Sequence, residues 1–512
     1  MIRPMKCLMF CAAIIPLLSS ISSTAEMLTL PAQHQVKGSG GVYRLEQKTL
    51  EWEASETAII VCDMWDKHWC AGATGRVAEM APTMEAVLKN ARDKGVIIIH
   101  APSDTLGFYE DSPQRQRAKE AKHKKMPSRN GWRHIQDEEG PLPIDDSDGG
   151  CDDQPACKNY KAWTRQIDIL TIAPEDYISA VGQEVYNILE ANHRDNVIIM
   201  GVHTNMCVLG RPFSIRANVS NGKNVVLMKD MTDSMYNSRM APFVPHFRGT
   251  ELVTEHIERH WAPTITSTAF TGKTPFRFAD DPRKHAVFLI HEDEYDTKHT
   301  LPEYAQSELV DELGWKCTYL FGDGLHNIPN TEAIAQADLL FISVRRQVLP
   351  KAQLEFIKAH IESGKPIVAI RTASHAFSSR SKSPAAGLEW PEFDHDVLGG
   401  NYHNHYGNKS PDSPRTYIWS TPEVESHPIL AGISPDKRIT TSWLYKVNPL
   451  TESATPIMWG QIEGHPPEPV AWTNINAYKG RVFYTSLGHP DDFASPDFRK
   501  MLTNSMQWVL KK

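Results

Sequence analysis

Polar side chains with nucleophilic or basic chemistry follow two strongly apolar runs in the first half of the sequence. Asp63 comes directly after AIIVC, and the turn GVHTNMCVLG, which contains Cys207, comes directly after NVIIM. A carboxylate beside a thiol can accept its proton, and the resulting thiolate is a strong nucleophile. These residue types indicate cysteine-based covalent chemistry, while a buried filler and half of a disulfide are the alternative interpretations of Cys207.

The first half of the chain alternates short apolar runs with helical patterns. Strands are predicted at residues 57–64, 96–103, 196–202 and 224–233, and helices at residues 76–95, 177–193 and 207–222. This alternation is typical of an α/β domain with a parallel sheet wrapped by helices. Because ligands bind beyond the carboxyl ends of such strands, Asp63 and Cys207 are expected at one edge of the sheet. A helix that begins at Cys207 would also favour a thiolate.

IVCDMWD followed by GVHTNMCV resembles the isochorismatase-like cysteine hydrolases, which include nicotinamidases and N-carbamoyl amidases. The similarity covers most of residues 50–265, with Asp63 at the family's aspartate and Cys207 at its nucleophile in G-x-x-T-x-x-C-V. The resemblance implies hydrolysis of a small amide or carbamoyl substrate, or of a related C–N or ether bond.

The same resemblance implies a particular backbone around the nucleophile. It places a non-proline cis peptide at His203–Thr204, and it makes backbone amides of the turn bind an oxyanion. The residues of that turn are His203, Thr204, Asn205 and Met206.

The family's third catalytic residue, a lysine that precedes the cysteine, has no clear counterpart. Arg165 in AWTRQ is a weak stand-in for it, and Lys161 in NYKAW is the alternative. Arginine supplies positive charge, but its pKa is too high for it to shuttle protons. An active hydrolase and a degenerate relative therefore both stay open.

Histidines and cysteines near this site raise the questions of a metal and of a disulfide. Nicotinamidases bind zinc with Asp and His, but the expected Asp-x-His element is missing, so His68 and His100 are interpreted as structural. No metal ligand and no cofactor are predicted, although a divalent metal stays open. Cys151 and Cys157 in CDDQPAC are the candidate disulfide, because they close a small loop inside polar sequence. A metal site there is the less favoured alternative, because the spacing matches no familiar zinc pattern.

The alternation of strands and helices restarts after residues 266–284, which lack periodicity and are predicted to be a linker. Strands are expected at residues 285–294, 338–344, 366–372 and 482–489, and helices at residues 349–364 and 498–510. The chain is therefore predicted to hold two open, mostly parallel-sheet α/β domains in tandem. Both are of the Rossmann-like three-layer type, at residues 27–265 and 285–512.

Three stretches of the second half, GKPIVAIRTASHAF, VLGGNYHNHYG and RVFYTSLGHPDDF, resemble the ThuA-like domain. That family is linked to trehalose and other sugar utilisation and shares the class I glutamine amidotransferase fold. The turn RTASHAF lacks the nucleophilic cysteine of amidotransferases, so glutaminase chemistry is not expected. His375, His405 and His489 are the candidate site, as acid–base groups or ligand contacts, and Tyr402 and Trp443 are candidates for stacking on a sugar. The alternative is that these signatures only stabilise the fold.

Two further segments bear on function. Residues 1–25 combine a positive start, an apolar core and small residues, which predicts a secretory signal peptide and an exported bacterial protein, periplasmic or secreted. Residues 106–166 form an unusually long connection, interpreted either as a lid or binding loop or as a solvated insertion.

The composition agrees with a protein that acts on small molecules. Among 512 residues are 54 basic and 62 acidic side chains without a basic block, which argues against nucleic-acid binding. No segment after the first approaches about 20 apolar residues, so stable membrane insertion is not expected. The leading hypothesis is an exported cysteine hydrolase with a small-molecule substrate. The alternative is a carbohydrate-binding or sugar-processing protein that acts through its second domain, and a homo-oligomer stays open.

Overall fold

Two large β-sheets organise the chain, and each is accompanied by helices. The computed structural model describes residues 26–38, 41–379, 387–407 and 414–511. The predicted signal peptide, residues 1–25, lies outside these ranges. Within them, no helix is both long enough and apolar enough to cross a bilayer. The arrangement confirms the prediction of two α/β units along the chain.

Eight strands and six helices build the first unit. The strands are β1 (Met27–Lys37), β2 (Tyr43–Glu53), β3 (Thr57–Cys62), β4 (Ile97–Ala101), β5 (Tyr177–Ile178), β6 (Asn196–Val202), β7 (Asn224–Asp233) and β8 (Thr264–Ile265). The helices are α1 (Ala71–Asp93), α2 (Pro113–Glu120), α3 (Gly182–Ala191), α4 (Ile215–Ser220), α5 (His246–His260) and α6 (Thr268–Thr271). The strand order is β2-β1-β8-β7-β6-β3-β4-β5. The strands from β8 to β5 run parallel, while β1 and β2 form an antiparallel hairpin at one edge.

Strands β3 and β6 lie side by side in this sheet because both are almost entirely apolar. Every residue of both strands is buried, as expected for parallel strands covered on both faces. They pair in register up to Cys62 and Gly201. Gly201 has φ +112°, and a Cβ there would overlap the carbonyl oxygen of Cys62, so only glycine fits this position. The segments after the two strands therefore leave the sheet next to each other.

Among the described residues, eleven strands and three α-helices follow in the second unit. The strands are β9 (His285–His291), β10 (Lys316–Phe321), β11 (Leu339–Val344), β12 (Ile367–Ile370), β13 (Asn404–His405), β14 (Thr416–Trp419), β15 (Arg438–Thr440), β16 (Tyr445–Lys446), β17 (Thr455–Gln461), β18 (Glu468–Ile475) and β19 (Arg481–Thr485). The helices are α7 (Thr297–Ala305), α8 (Lys351–Glu362) and α9 (Pro496–Val509). The nine-stranded sheet has the order β10-β9-β11-β12-β19-β18-β17-β14-β15, and β13 pairs with β16 apart from it. Its first five strands are parallel, and the remaining four are antiparallel.

The predicted helix over residues 207–222 is confirmed only for Ile215–Ser220 and is wrong at its start. In its place the chain forms a π-type turn over Thr204–Val208 and then the six-residue helix α4. A long helix dipole at Cys207 is therefore absent. The sequence prediction also lacks the β1–β2 hairpin and the antiparallel strands of the second sheet.

The predicted linker, residues 266–284, packs against the first domain. The carboxylate of Asp230 accepts from the amide of Ser267 (2.8 Å) and from the amide of Phe276 (2.9 Å). The connection between the two sheets is thus held in place by hydrogen bonds.

The hairpin of β1 and β2 contacts the second domain. Nε2 of Gln47 donates to the carbonyl oxygen of Tyr319 (2.8 Å), and its Oε1 accepts from the amide of Phe321 (3.3 Å). A cavity of about 820 Å³ lies between the domains, and neither Asp63 nor Cys207 lines it. The Asp63–Cys207 pair therefore lies outside this cavity.

Candidate active site

Asp63 is the first residue after β3, and its side chain is fully buried. Its backbone is left-handed, with φ +48°. Its Oδ1 accepts from the amide of Ser103 (2.8 Å), and its Oδ2 accepts from Nε of Arg211 (3.2 Å). Burial raises the pKa of Asp63, while the positive charge of Arg211 opposes that rise. A carboxylate with a raised pKa that is fixed in place is suited to accept a proton.

Cys207 lies in the π-type turn, and only 8% of it is exposed. The structure brings it together with Asp63, close enough for each group to affect the pKa of the other. Burial raises the pKa of the Cys207 thiol well above its usual range, and the charge of Asp63 raises it further. The resting thiol is therefore protonated, and nucleophilic attack requires that its proton pass to Asp63.

Arg211 is the cation of this site, and sequence reasoning missed it. Its Nε pairs with Asp63, its Nη2 lies 3.2 Å from Oδ2 of Asp104, and its guanidinium lies over the ring of Trp132 at 5.7 Å. Its charge lowers the pKa of Cys207. The sequence did contain a signal for Arg211, because it lies four residues after Cys207, about one helical turn away. The family resemblance instead indicated a cation before the cysteine.

Neither cation predicted from the sequence contacts the Asp63–Cys207 pair among the described contacts. Nη2 of Arg165 pairs with Asp168 (2.7 Å) at the surface. Nζ of Lys161 donates to the carbonyl oxygen of Asp104 (3.2 Å), at the edge of the site. The prediction that Arg165 stands in for the family lysine is therefore wrong.

The backbone of the turn differs from the expectation at two points. The non-proline cis peptide is Val202–His203, one residue earlier than His203–Thr204. The amide of Met206 donates to the carbonyl oxygen of His203 (3.1 Å), so it is engaged within the turn and is no longer a candidate oxyanion donor. Thr204 is fully buried, and its hydroxyl is hydrogen bonded to a threonine of β7 (2.7 Å).

Residues 106–166 fold over this turn. Nδ2 of Asn205 donates to Oδ2 of Asp146 (2.7 Å). The backbone at Gly210 is so close to the ring of Trp132 that a Cβ on this glycine would overlap it. This packing indicates that residues 106–166 cover the site and are not a solvated insertion.

A buried carboxylate anchors the same segment to the rest of the domain. Glu139 accepts from Nη2 of Arg216 (2.8 Å), Nε2 of His256 (2.9 Å) and Nε1 of Trp261 (2.6 Å). Burial opposes ionisation of Glu139, but these donors lower its pKa to about 2. The cover is therefore held by charge-assisted hydrogen bonds to α4 and to the end of α5.

Aromatic rings lie beside the turn Thr204–Val208, which contains Cys207 and is called the nucleophile turn below. Trp163, from the cover, stacks on Trp65 with 4.5 Å between ring centroids. His68 stacks on Trp163 (5.6 Å) and meets His203 edge-on (4.9 Å). Burial lowers the pKa of His203 to about 3 and that of His68 to about 4, so both rings are neutral near pH 7. Nε2 of His203 is buried without a hydrogen-bond partner in the described part of the chain.

The histidines of this region do not form the zinc site that the resemblance implies. The ring nitrogens of His100 are engaged by Gln166 (2.9 Å) and Asp176 (3.0 Å). Nδ1 of His68 accepts from the amide of Cys70 (3.2 Å). Both ring nitrogens of His100 and one of His68 are therefore engaged by protein groups.

In the second domain, the three predicted histidines gather around two tyrosines. His375 and His405 each lie 6.4 Å from the ring of Tyr445, and His489 meets Tyr295 edge-on at 6.2 Å. His405 also stacks on Trp443 with 5.1 Å between the centroids. The structure thus brings the three histidines to one aromatic cluster.

Sequence reasoning missed Arg371 at the centre of this cluster. It follows β12, is fully buried, and lies over the rings of Tyr295 (4.1 Å) and Tyr445 (5.2 Å). Nη1 donates to the carbonyl oxygen of Ser486 (2.7 Å), while Nε and Nη2 are buried without a hydrogen-bond partner among the described residues. The sequence did contain a signal for Arg371, namely a cation directly after the buried strand IVAI. Burying a charge without a compensating partner is costly, so such a position indicates a functional or structural role.

The L-G-G-x-Y signature has a structural explanation. Oδ2 of Asp394 accepts from the amide of Tyr402 (2.6 Å), and a Cβ on Gly400 would overlap the carboxylate. Gly399 has φ +77° where the preceding turn ends. Burial raises the pKa of Asp394 to about 7. The two glycines therefore allow a buried carboxylate to hold the loop that carries Tyr402.

The fold and these two sites define a tandem α/β protein with a buried aspartate–cysteine pair in its first half. Residues 323–509 match the family model described as ThuA, trehalose utilisation, so the second domain is ThuA-like, as its motifs predicted. No curated protein matches the chain.

Solved structures similar to the chain include proteins of both kinds. A ThuA-like protein from Bacteroides uniformis ATCC 8492 shows 16% identity and a TM-score of 0.34, covering 46% of this chain and 94% of its own. A cysteine hydrolase from Pseudomonas syringae pv. phaseolicola 1448A shows 17% identity and a TM-score of 0.27, covering 42% and 91%. An isochorismatase from Pseudomonas putida KT2440 shows 13% identity and a TM-score of 0.26, covering 43% and 92%. Likeness at this level says nothing about activity or substrate.

The electrostatics of the cysteine site can be measured without a substrate. Because Arg211 lowers the pKa of Cys207 and Asp63 raises it, Arg211→Gln should move the pH profile of Cys207 alkylation by iodoacetamide to higher pH. Asp63→Asn should move it to lower pH. Peptide-resolved mass spectrometry across a pH series measures both shifts.

The matched control for this measurement is Arg165→Gln, which removes the same charge from the surface. It should leave the profile unchanged. A shift in Arg165→Gln with none in Arg211→Gln would contradict the assignment of Arg211.

Proposed function

We propose that the first domain is a cysteine hydrolase that cleaves the C–N bond of a small amide or carbamoyl compound. The observation that carries this proposal is the Asp63–Cys207 pair, buried at the carboxyl ends of adjacent parallel strands with Arg211 beside it. Thiol, proton acceptor and fixed cation are the groups that nucleophilic acyl transfer needs.

In the proposed reaction, Asp63 accepts the proton of Cys207 as sulfur attacks the carbonyl carbon. The tetrahedral intermediate collapses, the C–N bond breaks, and Asp63 returns the proton to the leaving nitrogen. Water then attacks the thioester carbonyl and gives a proton to Asp63. The C–S bond breaks, Asp63 returns that proton to the sulfur, and the acid is released with the thiol regenerated. Arg211 stabilises the ionised carboxylate but does not move protons.

The surroundings favour a compact substrate. Cys207 is only 8% exposed, and the stacked rings of Trp65 and Trp163 together with the neutral His68 lie close to the turn. Flat, apolar walls with few polar contacts are typical of pockets for small planar groups.

Substitution of the pair should abolish turnover of an amide library by the full chain. Cys207→Ala is expected to remove activity, and Asp63→Asn to reduce kcat by about 100-fold or more, since it removes the general base. Initial rates of ammonia or amine release measure both effects.

Arg165→Gln serves as the control and should keep the parent rate. Trapping of an acyl adduct on Cys207 by mass spectrometry provides a second readout. Full activity in Cys207→Ala would overturn the proposal.

A second candidate function is carbohydrate binding by the ThuA-like domain. It is favoured by the cluster of three histidines, by the stacked His405–Trp443 pair and by the buried Arg371, two of whose nitrogens have no hydrogen-bond partner in the described part of the chain. Aromatic rings bind sugar faces, and a buried guanidinium attracts a carboxylate or phosphate. We infer a preference for sugars that carry an acidic group.

Calorimetry with neutral and acidic mono- and disaccharides tests this candidate. Trp443→Ala should weaken binding about five- to tenfold, as expected for the loss of one stacking contact. Trp508→Ala, a half-buried tryptophan on α9 that contacts none of the three histidines in the described structure, should bind as the parent does. Equal weakening by both variants, or no binding of any sugar, would count against the second candidate.

We also propose that the protein is exported, on the pattern of residues 1–25. Expression of the full chain in a bacterium should yield a mature form that starts near Glu26 outside the cytoplasm. Intact-mass measurement of fractionated cells shows this directly, and an unprocessed cytoplasmic chain would contradict it.

A further inference from the structure

Three thiols and one carboxylate meet below the nucleophile turn. The Sγ atoms of Cys70, Cys151 and Cys157 lie 3.3, 3.5 and 3.2 Å from Oδ2 of Asp153. The disulfide predicted between Cys151 and Cys157 is absent, because every cysteine in the described residues is free. The three sulfurs therefore surround a shared oxygen.

These separations are those of a tetrahedral zinc site. With Zn–S of about 2.3 Å and Zn–O of about 2.0 Å, tetrahedral angles separate sulfur from oxygen by about 3.5 Å. The observed distances of 3.2–3.5 Å agree with that edge length. Ligand atoms of Cys70, Cys151 and Asp153 also lie within 4.8 Å of one another. Cys157 lies outside this group of three, and its Sγ, 3.2 Å from the Asp153 carboxylate, would move towards the other two sulfurs to complete the four ligands.

The surroundings suit a metal-bound cluster. The amide of Gly72 donates to Oδ2 of Asp153 (2.9 Å), which fixes the carboxylate as outer hydrogen bonds do in metal sites. Three thiolates and a carboxylate around a divalent ion leave a net negative charge, and the nearby Arg76 offsets part of it. Nε of Arg76 pairs with Asp233 (2.7 Å), and its buried Nη2 has no hydrogen-bond partner in the described chain.

Burial is graded across the cluster. Cys70 and Cys151 are 1% and 5% exposed, whereas Asp153 and Cys157 are half-buried. An ion therefore has a way in from the surface, and the finished site is shielded from solvent.

We propose that Cys70, Cys151, Asp153 and Cys157 bind one thiophilic divalent cation, zinc by preference. Four protein ligands leave no open position, so the site is structural and not catalytic. It ties the cover, residues 106–166, to the start of α1. The ligands differ from the Asp and His that the family resemblance implies, and 83 residues separate Cys70 from Asp153, so no local spacing pattern reveals the site.

The ion would also support the nucleophile turn. Met206 packs against the cluster formed by Cys70, Cys151 and their apolar neighbours. Metal binding is coupled to the folding of the segments that supply the ligands. Loss of the ion should therefore loosen the cover before the sheet.

The test uses the full chain, reduced and loaded with zinc or cobalt. Elemental analysis should give one zinc per chain, and cobalt should produce the intense thiolate charge-transfer absorption of a tetrahedral site. Cys157→Ser, at the most accessible sulfur, should reduce zinc affinity by at least about tenfold. Cys317→Ser, a free cysteine of the second domain, should keep both signals.

A second measurement separates metal binding from misfolding of a variant. In the parent chain, zinc should protect the cluster cysteines from alkylation, and a chelator should expose them while the circular dichroism of the sheets persists. Absence of bound metal in the reduced parent would overturn the proposal. A disulfide between two of the three cysteines in the isolated protein, or full zinc content in a Cys70→Ser, Cys151→Ser double variant, would overturn it equally.

Discussion

Parallel pairing of β3 with β6, in register from Thr57 with Asn196 to Cys62 with Gly201, determines where the reactive groups of the first domain lie. The pairing requires a glycine at its end, because a side chain at Gly201 would overlap the neighbouring carbonyl oxygen. Asp63 directly follows β3, and the turn that contains Cys207 directly follows the neighbouring strand β6. The carboxylate and the thiol are thus juxtaposed by the backbone of the sheet, before any loop contributes.

This juxtaposition buries a carboxylate, and the rest of the site compensates for its desolvation. Asp63 is fully buried and is stabilised by the amide of Ser103 and by Arg211. A buried charge without such partners would cost several kcal/mol. Trp132 of the cover lies over the Arg211 guanidinium, so the long excursion shields the ion pair from water. The segment that covers the site therefore also stabilises the ion pair between Arg211 and Asp63.

The sequence predicted what depends on local pattern, and it failed where distant segments meet. Buried strands such as residues 196–202 and the G-x-x-T-x-x-C-V motif are local, so the sheet and the Asp63–Cys207 pair could be anticipated. The cluster around Asp153 joins residues 83 positions apart, and no periodicity encodes such a contact. Arg211 was close in sequence, but it lies on the other side of the cysteine from the lysine that the resemblance implied. The helix expected at Cys207 failed because the chain makes a single π-type turn there.

The cation of the site is Arg211, where the family resemblance implies a lysine, and this difference changes how protons would be handled. A lysine with a lowered pKa can give and take protons, whereas a guanidinium stays charged throughout. Both transfers in the proposed reaction, from the thiol and from the attacking water, must then use Asp63. A normal aspartate would be too weak a base to hold a proton between these steps, but burial raises the pKa of Asp63. The same desolvation that makes the carboxylate costly to bury therefore allows one residue to serve as base and acid in turn.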